Sequence, residues 1–241
     1  MSRLFEELDY QVTPLGTLVL RCRRDLAEGG DLYEIKLNDE FLMSSKFTAS
    51  EEALADLTLA DLVQPGLDIV VGGLGLGCTA AQALENPNVA SMLVVDAMLP
   101  IIEWHEEGLL PLGNVLTADG RCRFVLGDFF EMALSSGAGF DPSRPGRRFH
   151  AILLDIDHSP NHVLHASNAR LYTPEGLARL RDHLLPGGVF GLWSNDREDA
   201  GFTAQLATVF DTARAEAVTF HNPLQNRDAV QTIYVARKAV A

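Results

Sequence analysis

The sequence predicts an α/β fold, a parallel doubly wound sheet preceded by a small antiparallel β cap. Three observations lead there. From Leu67 onward, apolar runs with strand character alternate with helix-like runs. The stretch LDIVVGGLGLGCTAAQAL, Leu67 to Leu84, breaks an apolar strand with a Gly-x-Gly-x-Gly turn that opens into a small-residue helix. Before this, Tyr10 to Phe47 is short-period, β-rich and punctuated by turns. At 241 residues the chain has room for one large α/β domain, or for one domain with a small appendage.

In chain order, TLVLRC, the turn AEGGD, LYEIKL, the turn NDE and FLMSS form the cap. At Thr48 the period changes. Thr48 and Glu51 stand at capping-box spacing, Glu52 adds charge to a first turn, and Leu54, Leu57 and Leu62 follow on one side, so a helix leads into the main domain. The division expected is a cap over 1–48 and a cofactor-binding catalytic domain over 49–241. There the pairs run DIVVGG and TAAQAL, MLVVD and PIIEWHEE, RFVLGD and FFEMALSS, FHAILLD and TPEGLARLRDHLL, VFGLWS and DAGFTAQLATVF. DPSRPGRR is a loop insert, and QTIYVARK, after a helix and a polar loop, is read as an added edge strand.

The glycine turn predicts a grip on a nucleoside cofactor. Lacking a Cβ, Gly73, Gly75 and Gly77 can take positive φ and let backbone approach a ligand, while unpaired amides at the helix start offer hydrogen bonds. Asp96 closes the next strand, about 20 residues on, where a carboxylate can accept both ribose hydroxyls. A nicotinamide cofactor fits less well, because its fingerprint wants glycine where Cys78 stands.

Charge narrows the partners. A formal net charge of -14 argues against nucleic acid, whose affinity comes from phosphate neutralisation by Lys and Arg, and suits a cationic small substrate; acidity that merely keeps the protein soluble is the plain alternative. The three cysteines, Cys22, Cys78 and Cys122, lack metal-site spacing and read as free thiols of a reducing compartment. MSRLFEELDY carries acids where a signal peptide needs a basic flank, and no apolar run approaches the ~20 residues that span a bilayer. The expectation is a cytoplasmic protein with no membrane partner.

The order GGLGLG, VVD…IIEW, VLGD, ILLD and LYTPEGLARLRDHLLPGGVFGLW, together with the β cap, resembles the spermidine synthase-like branch of the class I S-adenosylmethionine-dependent transferases over most of the chain. The resemblance implies a Rossmann-like, seven-strand sheet of the class I methyltransferase type with an antiparallel final strand, and a homodimer. Carried over by residue, Gly73, Gly75 and Gly77 line the methionine and ribose part of the cofactor, Asp96 holds the ribose, Asp128 accepts from the adenine amino group, and Asp155 faces the acceptor as the catalytic carboxylate. Asp157, His158 and Tyr172 are expected at the acceptor.

Plain structural readings stand beside these. Asp96 and Asp128 can be ordinary strand-end residues. Asp155 and Asp157 can form a turn ahead of Pro160, and Tyr172 can pack at a helix entry. Trp104 reads as packing rather than a cofactor platform. His158, His162 and His165 bring no clear carboxylate set, so no metal is expected.

The sequence also departs from the family. The Asp that the family carries in its glycine turn, to pair with the free amine of decarboxylated S-adenosylmethionine, is absent from Leu74, Gly75 and Leu76. Its Asp-Ser/Thr-Ser/Thr-Asp run is Asp155, Ile156, Asp157, His158 here. The family's cap Gln falls at about Leu42, and its Tyr-His-Glu segment at Ala49, Ser50 and Glu51. The expected function is alkylation of a small, cationic amine from S-adenosylmethionine or its decarboxylated form, with aminopropyl transfer as the family-based lead. Methyl transfer and non-catalytic nucleoside binding are the alternatives.

Overall fold

The structure, a computed structural model, describes residues 4–26, 29–38, 40–222 and 227–240. Four strands, β1 (Phe5–Thr13), β2 (Gly16–Arg24), β3 (Asp31–Leu37) and β4 (Glu40–Ser44), form an antiparallel sheet in chain order. The expected cap strands correspond to β2, β3 and β4. β1 begins earlier than the expected β-rich region, and Glu7 and Asp9 flank a bulge in its pairing with β2. The turns AEGGD and NDE include Ala27, Glu28 and Asp39, which lie outside the described residues.

Helix α1 (Ala49–Leu59) leads to β5 (Leu67–Gly72), α2 (Cys78–Glu85), β6 (Val89–Asp96), α3 (Leu99–Glu106), α4 (Gly113–Ala118), β7 (Cys122–Leu126), α5 (Phe129–Leu134) and β8 (Phe149–Leu154). A 3-10 turn (Ala166–Arg170), α6 (Pro174–Asp182), β9 (Leu184–Ser194), α7 (Ala200–Val209), β10 (Thr212–Asn222) and β11 (Arg227–Arg237) complete the chain. The seven body strands are ordered β10-β11-β9-β8-β5-β6-β7, and β11 runs antiparallel to both neighbours. This is the Rossmann-like, methyltransferase-type sheet. None of the described helices is long and apolar enough to cross a membrane.

The apolar runs are continuous because both faces of the sheet are covered. Successive side chains point to opposite faces, so Ile69, Val71, Met92, Val94, Ala151 and Leu153 pack with α1 to α4, whereas Val70, Leu93, Val95, Ile152 and Leu154 pack with α5 to α7. Leu18, Leu20 and Ile35 of the cap belong to the first of these cores. A hydrogen bond of 2.6 Å from the Trp104 indole N–H to Asp9 also ties β1 to α3, which gives Trp104 a docking role as well as its packing role.

Two expectations are corrected. The last apolar run is not the sheet edge: β11 lies between β9 and β10, and the edge is β10, TARAEAVTFHN, in the stretch expected to be loop. The Thr48–Glu51 capping box does not form. Thr48 makes no side-chain cap bond and instead donates to Glu52 at 2.7 Å, while the Glu51 carboxylate accepts from Ser50 at 2.6 Å and faces a cavity.

Burial opposes ionisation of Asp9, but the bonds from Trp104, Gln11 and the Tyr10 amide prevail and lower its pKa. A lowered carboxyl contributes stability above its unfolded pKa and loses it as pH falls. Trp104→Phe should therefore cost about 1–2 kcal/mol in chemical denaturation at pH 7, and the Asp9-dependent part of that loss should persist down to about pH 4, the ordinary aspartate value, and disappear as the pH falls on through the lowered pKa of the folded carboxyl.

Candidate functional site

The chain runs outward from β5 through β6 to β7, then returns to the other side of β5 as β8, so the order of the sheet reverses between β5 and β8. Ligands of open α/β sheets bind at such a reversal, beyond the carboxyl ends of the strands. A cavity of about 590 Å³ lies there, roofed by Leu37, Leu42 and Met43 of the cap region. This volume lies within the ~300–1,000 Å³ of small-molecule sites.

The glycine turn forms the floor. Gly73, Gly75 and Gly77 have φ of +93°, +46° and +90°, a region that L side chains rarely adopt. Space is as restrictive as conformation. A Cβ at Gly73 would lie 2.1 Å from the Asp155 carbonyl oxygen, and one at Gly75 would lie 2.4 Å from the Met43 methyl. Gly73 and Gly75 line the cavity; Gly77 is packed behind them against Leu116 and His105.

Asp96, at the end of β6, also lines the cavity, and its oxygens accept from the Leu74 amide at 2.9 Å and the Met98 amide at 2.8 Å. It therefore staples the glycine turn to the neighbouring strand. Burial raises its pKa, with the Leu74 and Met98 amides opposing. Asp128, beyond β7, caps α5 by accepting from the Phe130 and Glu131 amides through one oxygen. It too is at the cavity.

Asp155 follows β8 at the reversal point, where its own amide donates to the Gly72 carbonyl at 2.8 Å. Its carboxylate accepts from the Thr79 hydroxyl at 2.7 Å. Burial pushes its pKa up to about 6 against that bond.

The residues expected at the acceptor separate. His158 lines the cavity, but Asp157 and Tyr172 stand behind its wall. Asp157 is buried with its oxygens taken by the Leu164 amide at 2.7 Å, the Asn168 amide group at 2.9 Å and the Tyr172 hydroxyl at 2.8 Å. Contrary to the expectation for the acceptor, this pair does not line the cavity and instead shapes the loop carrying His158, His165 and Asn168 from behind. His158 and His162 pack ring to ring at 4.9 Å, and His165 caps the 3-10 turn.

The sequence reading missed several contributors. Glu51 lines the cavity, and burial, followed by the charge of Asp155, raises its pKa to about 7. The signal for it was present: the family's Tyr-His-Glu segment falls at Ala49–Glu51, with the acid kept. Met43 reaches down from β4, its sulfur 3.1 Å from the Leu76 amide, and Trp193, Asn195 and Gln231 complete the far wall. Beneath the turn, buried His105 lies 2.9 Å from the Gly75 carbonyl through Nε2, and burial lowers its pKa.

No protein-family model matches the chain. Solved structures do resemble it. A spermidine synthase in complex with the transition state analogue AdoDATO superposes with a TM-score of 0.71 at 16% identity, covering 98% of this chain and 73% of that one. The spermidine synthase of Thermotoga maritima gives 0.72 at 16% identity, covering 98% and 74%. A probable spermidine synthase from Corynebacterium glutamicum ATCC 13032 gives 0.63 at 17% identity, covering 98% and 81%. The chain thus has a spermidine synthase-like fold.

Gly66 separates the two demands on Gly73, because its φ is +83° yet a Cβ there meets open space. Gly66→Ala should cost about 1 kcal/mol, the conformational cost alone. Gly73→Ala should cost at least about 2–3 kcal/mol, since the end of β8 must also move. Urea denaturation of the two variants measures the difference.

Proposed function

We propose that this protein transfers an alkyl group, with aminopropyl as the leading case, from an adenosyl sulfonium to a small amine. The observation that carries the reading is the charge of the cavity. Its described lining includes the carboxylates Glu51, Asp96, Asp128 and Asp155 and no Lys or Arg. Such a lining favours cations, and both a sulfonium and an ammonium are cations. It offers no Lys or Arg to the carboxylate of an intact methionine arm, which favours the decarboxylated donor. The likeness in fold to a spermidine synthase bound to a transition state analogue supports the same class.

In this reading the amides around Gly73 and Gly75 face the donor near its sulfur, Asp96 takes the ribose hydroxyls with its remaining lone pairs, and Asp128 accepts from the adenine amino group. The sulfonium makes each attached carbon electrophilic. The amine lone pair attacks one of them in line, the carbon–sulfur bond breaks, and its electrons remain on sulfur as a neutral thioether. Holding the pair aligned and excluding water is the larger part of such catalysis. The attacking nitrogen must be neutral, and an alkyl amine with a pKa of ~10.4 is neutral about once in a few thousand molecules at pH 7, a cost of roughly 4–5 kcal/mol. Asp155 orients the amine and receives its proton, and the sulfonium charge lowers the amine pKa.

One observation favours a second reading, methyl transfer from intact S-adenosylmethionine. Gly75 carries no acid to pair with the free amine of a decarboxylated donor, and the apolar Met43 side chain fills the space above it.

Incubation with each donor and a panel of alkylamines and diamines, read by mass spectrometry, decides between them. An aminopropyl gain from the decarboxylated donor supports the lead, a methyl gain from the intact donor supports the second reading, and no alkylated amine with either refutes both. With the best acceptor, Asp155→Asn should lower kcat by at least about 10²-fold. The wild-type rate should rise with pH through about 6, as Asp155 loses its proton.

A further inference from the structure

We propose that Glu51 is a substrate-binding and proton-handling residue, and that Glu51 and Asp155 form a carboxylate pair gripping the attacking amine; this rests on the amine-transfer reading above. The two residues come from unrelated parts of the chain, the first turn of α1 and the end of β8, yet both line the same cavity. Each is held in place by a hydroxyl. The Trp193 indole donates to the Ser50 oxygen at 2.9 Å, and the Ser50 hydroxyl donates to Glu51 Oε2 at 2.6 Å. On the other side the Thr79 hydroxyl donates to Asp155 Oδ2 at 2.7 Å and lies 3.3 Å from the Glu51 carbonyl oxygen. The Glu51 carboxylate also accepts from its own backbone amide, and the side chain so held lines the cavity.

The surroundings of the pair explain its chemistry. Glu51 faces Asp155 from β8, Glu52 from its own helix and Cys78 from α2, whose thiol burial pushes up to about 12 and so keeps neutral. Across the cavity stand His158 and His165, with Asp96 and Asp128 at its cofactor end and Trp193 and Ser50 as neutral donors. With no Lys or Arg in the described lining, the cation that relieves the repulsion is the substrate. Burial, reinforced for Glu51 by its neighbour, places the two carboxyls at about 7 and about 6, where one proton is readily exchanged near neutrality.

The balance is simple. An alkylammonium binds the ionised pair and gives one proton to it, and the neutral amine attacks the sulfonium carbon. The alkylated product leaves as a secondary ammonium with the thioether, and the pair returns its proton to water, so each turnover releases one proton.

The test follows the Glu51 side-chain carboxyl by ¹³C NMR against pH, using Glu51→Gln to assign its signal. The wild-type midpoint should lie near 7, fall by at least one pH unit in Asp155→Asn, and fall in wild type when propylammonium is added in excess. A midpoint at the ordinary glutamate value of about 4.3, one unmoved by Asp155→Asn, or one unmoved by propylammonium overturns the proposal. Calorimetry with 5′-methylthioadenosine separates this from the transfer reading. Absent nucleoside binding beside a coupled, amine-sensitive midpoint would remove the reaction and leave the pair; nucleoside binding beside an ordinary midpoint would remove the pair alone.

Discussion

The close passage of β5 against β8 governs the site. The Asp155 amide donates to the Gly72 carbonyl at 2.8 Å, and the chain then bends at Gly73 so near the Asp155 carbonyl that only a hydrogen fits where a side chain would stand. One contact therefore fixes both the left-handed turn and the position from which the Asp155 carboxylate enters the cavity. The Asp96 bond to the Leu74 amide fixes the turn from the other side. Backbone, rather than any single side chain, sets the geometry on which the proposed transfer relies, because a reacting pair must be held to within a fraction of an ångström.

The cap converts an open crevice into a cavity. Leu18, Leu20 and Ile35 share a core with α1 to α4, so the cap is packed onto the body over an apolar surface. It also brings Met43 over Gly75, and α1, the first element after it, brings Glu51 beside Asp155. The roof is thus apolar where it meets the glycine turn and acidic where the amine is proposed to enter. That division suits a ligand with a hydrocarbon arm and a cationic end.

Much of the fold was legible in the sequence, since a sheet buried on both faces writes its strands as apolar runs and its turns as glycines. The glycine turn, Asp96, Asp128 and Asp155 were legible for the same reason: each sits at a strand end whose position the pattern marks. β10 was not, because an edge strand buries little, and its Thr, Arg, Glu and His side chains read as loop. Glu51 was misread because Thr48 and Glu51 carry the spacing of a local capping box, whereas in the fold Thr48 bonds Glu52 and the Glu51 side chain lines the same cavity as Asp155. Asp157 was misread in the opposite sense. Its motif suggests a ligand, whereas Leu164, Asn168 and Tyr172 already satisfy its carboxylate.

The central claim is that the β5–β8 reversal holds an adenosyl thioether or sulfonium with its sulfur towards Asp155. A crystal structure with 5′-methylthioadenosine tests this most directly. The account predicts the ribose hydroxyls on Asp96, the adenine beside Asp128 and the sulfur above Gly73 and Gly75. A nucleoside bound elsewhere, or an empty cavity at saturating concentration, would contradict it.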